Sequence, residues 1–118
     1  MANTALFVGW GVPVRSRERA ALQVFNEWIQ YCSGLQQQGK VENFETVLLE
    51  SHGGDLGGFF LIRGSQEQIS GLRADGEFQH NITRAGLVVE HLGVVTAFIG
   101  DQLNRLMGDY QAQVGELT

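Results

Sequence analysis

Glu50, His52, Arg63 and Glu90 are the side chains of this sequence best placed by type and spacing to do chemistry. Glu50 and His52 stand two apart at the end of an alternating stretch, Arg63 closes the next apolar stretch, and Glu90 sits inside a third. A histidine beside a carboxylate can take a proton from a phenol-like or ketone substrate, and a guanidinium can hold the oxyanion that develops. Gathered at the mouth of a partly dry cavity, such groups have pKa values shifted into a useful range by burial and charge pairing. His52 or Glu50 would then be the base and Arg63 the anion holder. The competing reading has Arg63 bridging Glu50 or Glu90 across strands, with His52 ending a hairpin in water. His91 follows Glu90 directly and faces the other way unless a bulge near Gly93 intervenes, so only one of the two lines such a cavity; Glu90 is the candidate.

A second group could hold a ligand. Gly9 and Gly11 flank Trp10, which leaves a trough beside a large flat ring, and Phe59 supplies a further wall. The alternative is that Trp10 packs beneath a helix and the glycines relieve crowding. Arg15, Arg17 and Arg19 surround a helix start that could attract an anion, but their spacing favours a solvated basic turn.

Other chemistries are disfavoured. Gly53–Gly58 lacks the Lys-Ser/Thr of a phosphate loop and leads into a strand. His52, His80 and His91 fall on different elements, so no metal site is expected. Cys32 is the one cysteine; it lies on an apolar helical stripe and reads as an inert buried thiol. No G-x-S-x-G pattern occurs, and no cofactor is expected.

The elements that must position these residues follow from periodicity. Ala5–Val14 is apolar and β-prone, with Pro13 at its fraying end. Ala21, Phe25, Trp28, Ile29, Cys32 and Leu35 then recur at helical spacing, which predicts a helix over roughly 17–38, capped by Ser16 and stopped by Gly39. Asn43–Ser51 and Phe59–Arg63 form a hairpin across the glycine-rich turn. Ser65 and Gln68 have capping-box spacing and open a short helix, broken by glycines and restarted near Asp75. Leu87–Ile99 reads as a long fourth strand. Asp101 caps a last amphipathic helix with Leu103, Leu106, Met107, Tyr110 and Val114 on one face.

The order is β-α-β-β-α-β plus a C-terminal helix, the ferredoxin-like arrangement of an α+β domain with a four-stranded antiparallel sheet. Right-handed crossovers place strands 1 and 3 in the centre and 2 and 4 at the edges. On strand 2 the more polar set, Thr46, Leu48, Glu50 and His52, is expected to point into the barrel or its mouth.

The chain has 118 residues, 43% of them apolar, and a net charge of −5, which suits one packed domain and argues against a nucleic-acid partner. No ~20-residue apolar run is present, so no membrane span is expected, and the lack of a basic segment before Ala5–Val8 points to a cytoplasmic protein. Strands 1, 3 and 4 are apolar on both faces, more than two helices can cover. A second copy joined through the open sheet face would cover the remainder, giving a homodimer; the last helix folding back is the monomeric alternative.

This pattern resembles the dimeric α/β-barrel superfamily, in which two ferredoxin-like sheets pack face to face. The likeness spans essentially the whole chain. The stretches Leu6-Phe7-Val8-Gly9-Trp10-Gly11-Val12-Pro13-Val14 and Phe60-Leu61-Ile62-Arg63-Gly64-Ser65 look like those of small bacterial members of unknown function. The resemblance implies a cleft, between sheet and helices or within the barrel, and no particular substrate; the function expected is binding of a mostly apolar small molecule there. Its alternative is a cofactor-independent monooxygenase or isomerase acting on an aromatic or cyclic substrate.

Overall fold

A computed structural model describes residues 2–118. Four strands, β1 (Thr4–Trp10), β2 (Asn43–Leu48), β3 (Gly58–Gly64) and β4 (Gly93–Phe98), form one antiparallel sheet in the order β2-β3-β1-β4. The helices are α1 (Glu18–Gln37), α2 (Gln66–Ala74), α3 (Gly76–Gly86) and α4 (Gly100–Leu117). The ferredoxin-like order expected from the sequence is the one observed, with β1 and β3 central and the second helix split into α2 and α3.

Local chemistry sets the boundaries. Ser65 Oγ accepts from the Gln68 backbone N–H at 3.1 Å, and the Gln68 side chain accepts from the Ser65 backbone N–H at 2.8 Å, a complete capping box. Helix α1 stops at Gly39, whose φ of +73° lets its N–H reach the Gln36 carbonyl and the Lys40 N–H reach Leu35. Its start differs from expectation. Ser16 does not cap; it sits at φ +72°, and its backbone N–H donates to the Glu18 carboxylate at 3.3 Å. Asp101 likewise falls inside the first turn of α4, where Ile99 holds the cap position.

Side chains of register partners share a sheet face. Leu6 opposes Ile62 and Val8 opposes Phe60, and these four are buried beneath the helices with Val24, Trp28, Cys32 and Leu35 of α1, Ile69 and Leu72 of α2, and Phe78 of α3. Residues of the alternate set, Ala5, Phe7, Leu61, Phe59, Val95 and Val47, share the other face, which carries no helix.

Two expectations about the edge strands are corrected. Thr46 and Leu48 oppose Phe60 and Gly58, so the polar set of β2 belongs to the helix-covered face, while Glu45 and Val47 share the open face. The fourth strand does not run unbroken over Leu87–Ile99. Residues 76–86 are helical, and β4 proper begins at Gly93. His91 takes φ +57°, a left-handed backbone that interrupts the ladder. Pairing resumes beyond it: Pro13 bridges Val89, four residues on along one strand and four back along the other from the Gly9–Gly93 pair, so the register persists across the break.

Helix α4 stands apart. None of its residues is buried. The molecule measures 52 × 37 × 23 Å with a radius of gyration of 16.2 Å, against about 13.5 Å for a compact chain of this length. Gly108 and Gly115 inside the helix each cost ~1 kcal/mol relative to Ala, so tertiary support is what such a helix needs.

Candidate functional site

A cleft of about 280 Å³ lies between α1, the helix-covered side of the sheet and residues 85–92. Its walls are built by two periodicities. On α1, Ala21, Phe25 and Trp28 follow one another at helical spacing; on the sheet, Val8 and Phe60 are register partners and Trp10 follows Val8 by two residues. Val88, Val89 and Leu92 close the third side, held against the extension of β1 by the bonds Val14 N–H to Val88 O (2.8 Å) and Glu90 N–H to Val12 O (2.9 Å). Leu22 and Leu48 are exposed at the rim.

The aromatic rings form a connected set. Trp28 stacks on Phe60 with centroids 5.8 Å apart and an interplanar angle of 30°, while Trp10 lies 5.3 Å from Phe60 and meets Phe25 edge-on at 5.9 Å. The Trp28 indole N–H donates to the Asn81 carbonyl at 3.3 Å, which fixes the ring without spending a polar group on the cleft. Glu18, at the start of α1, is the one lining residue with a charged side chain. The space therefore favours a flat, mostly apolar molecule with at most one polar end.

The residues singled out from the sequence are distributed differently. Of the ligand-binding candidates, Trp10 lines the cleft. Gly9 and Phe59 face the open side of the sheet, where Phe59 packs on Phe7 at 5.0 Å. The trough beside Gly9 is filled there by the Phe7 ring: a Cβ added at Gly9 would stand 2.5 Å from it. Gly11 makes room for backbone, since a Cβ there would meet the Asp55 and Glu90 carbonyl oxygens at 2.8 and 3.1 Å and the His91 ring at 3.2 Å. The glycines thus serve the open face and a loop junction, and the cleft belongs to Trp10.

The catalytic candidates lie outside the cleft lining. Strand β2 ends at Leu48, which leaves Glu50 and His52 exposed in the loop to β3. There the His52 ring bonds the Leu56 carbonyl through Nε2 at 2.8 Å, and its Nδ1 accepts from the Gly54 N–H at 3.3 Å, so the histidine ties its own loop. Arg63 is paired within the sheet, with Glu45 at 2.8 Å and Asn43 at 3.2 Å, rather than with Glu50 or Glu90. Glu90 is exposed, and its backbone carbonyl accepts from Gly11 N–H at 2.8 Å.

Cys32 is fully buried, and burial pushes its thiol up to about 12. Burial also raises the Tyr31 phenol, whose hydroxyl has no hydrogen-bond partner. Among the described residues no group of three or more His, Cys, Asp or Glu is arranged to hold a metal ion, and no helix is long and apolar enough to cross a membrane.

Phe25, Phe60 and the 88–92 wall are cleft residues that sequence reasoning misses. Phe25 is visible on the α1 stripe, and Phe60 alternates with Phe59, but only the β1–β3 register shows that Phe60 shares a face with Trp10.

No protein-family model matches the chain, and no curated protein matches it. Its structure is similar to that of a dimeric protein of unknown function and ferredoxin-like fold from Bacteroides fragilis NCTC 9343, with a TM-score of 0.59 and 10% sequence identity, over 81% of this chain and 96% of that one. At that identity the likeness carries the fold.

Proposed function

We propose that this protein binds a mostly apolar, flat small molecule in the cleft beneath α1, and that it does so as a homodimer joined through the open sheet face. The cleft carries the first part: about 280 Å³ walled by Trp10, Phe25, Trp28 and Phe60, with Glu18 as its charged lining residue. A binding role is preferred over proton-transfer chemistry because Glu50, His52, Arg63 and Glu90 lie outside that lining, with Arg63 and His52 engaged in local bonds. The dimer is supported by the apolar residues of the helix-free face and by the dimeric state of the Bacteroides neighbour.

A thermal-shift titration with 1-naphthol tests the binding role. A ligand present at 100 times its Kd stabilises the folded state by ~2.7 kcal/mol, a rise in Tm well above error. Leu22→Trp, placed at the exposed rim, should keep the unliganded Tm and abolish the shift. A shift that survives Leu22→Trp places the ligand elsewhere. No shift from 1-naphthol, nor from larger bicyclic aromatics, overturns the reading.

A further inference from the structure

Helix α4 is amphipathic, yet none of its apolar residues is buried in its own chain. Leu103, Met107, Tyr110, Val114 and Leu117 follow one another at intervals of 4, 3, 4 and 3 residues. Leu106 beside this row widens the apolar face, but the row itself has the spacing by which two helices interlock. All five are exposed, Tyr110 at 63% and Leu117 at 85%.

The charges of α4 say which occupant fits. Asp101, Arg105, Asp109 and Glu116 all lie away from the seam, and the positions beside it are Asn104, Leu106, Gln111 and Gln113. Two copies of this helix can therefore meet without setting like charges opposite each other, the condition self-pairing requires. A partner of different sequence would more usually be selected by charges at those flanking positions, and here there are none to read. The helix also leaves β4 through Gly100 at φ +55°, which directs it off the sheet edge, with its first turn touching α2 through Gln102 and Gln66 at 3.3 Å.

We propose that α4 is a dimerisation arm that pairs with α4 of a second copy along the Leu103–Leu117 seam. The seam covers about two heptads, short for a free-standing coiled coil, so the pairing adds to a contact made elsewhere and rests on the chain being dimeric. Tyr110 is the midpoint of the seam and meets its own copy whether the two helices run parallel or antiparallel.

Cysteine cross-linking of the full chain tests this, because the native Cys32 is fully buried and stays silent. Under mild oxidation Tyr110→Cys should give a covalent dimer in high yield, while Ala112→Cys, on the side of the helix opposite the seam, should not. Separately, Met107→Glu combined with Val114→Glu should raise the dimer dissociation constant at least tenfold in sedimentation equilibrium. Equal cross-linking at positions 110 and 112, or an unchanged dissociation constant, overturns the arm. If the charged α4 variant stays dimeric while Leu61→Asp on the open sheet face dissociates, the arm fails and the sheet-face dimer stands. A monomeric wild-type chain at micromolar concentration overturns both.

Discussion

The two faces of the sheet are made from the same kinds of residue and have different neighbours. On one, Leu6, Val8, Phe60 and Ile62 are sealed under α1, α2 and α3. On the other, Phe7, Phe59 and Leu61 are half-buried, and Val95 is 55% exposed. Side-chain chemistry alone does not separate them. What separates them is that the helices reach only one side, so an apolar strand residue contributes to the stability of the chain on one face and is available for association on the other. Residues lining the cleft sit on the covered face, where the helices leave a gap between them; the open face offers area without enclosure.

The largest effect should come from the covered face. Phe60→Ala removes the ring on which Trp28 stacks and which Trp10 and Phe25 approach, and it should cost about 3–5 kcal/mol in urea denaturation. A loss under about 1 kcal/mol would mean that the aromatic set is not a packed unit. Next in size is Leu61→Asp, one residue along and on the other face. It should change the stability of the monomer by less than about 1 kcal/mol. It should also weaken the proposed dimer by roughly tenfold to a hundredfold, since one central apolar contact is worth about 1–3 kcal/mol. Equal destabilisation by both substitutions would erase the distinction between the faces.

The smallest effect concerns thiol reactivity and leaves the fold untouched. With its thiol buried and pushed up to about 12, Cys32 stays protonated at pH 8 and should resist iodoacetamide in the native state. Val95→Cys on the open face should react in the monomer and be protected in the dimer. The sign of the pH effect follows from the same shift. The Cys32 pKa is higher folded than unfolded, so its contribution is intact below the unfolded value near 9 and is lost as pH rises toward about 12. A Cys32→Ala chain should therefore lose less stability over that range than the native one.

The element order was legible because the hydrophobic period changes cleanly between strands and α1, and because Gly39 and the Ser65/Gln68 pair carry end signals that depend on local chemistry. The long fourth strand was misread for a physical reason: Leu87-Val88-Val89 is as β-prone as any strand and does pair with the chain beyond β1, but His91 adopts a left-handed backbone that no periodicity reports. The face of β2 was misassigned because an edge strand is partly wet on both sides, so Thr46 pointing toward the helices costs little and polarity ceases to mark the inside. The candidate chemistry failed to assemble for the related reason that β2 stops at Leu48, before Glu50 and His52. The cleft was half visible. Trp10 could be named as a possible wall and Trp28 placed on the apolar stripe of α1, but their meeting across Phe60 is a long-range register that one sequence does not display.

The chain has two tryptophans, and both line the cleft. Emission excited beyond the tyrosine absorption band therefore comes from the cleft, with no indole on the open face or on α4 to dilute it. Quenching or a spectral shift would report occupancy of the cleft directly, without a label. The aromatic set that shapes the cleft also makes the protein its own optical sensor for whatever enters.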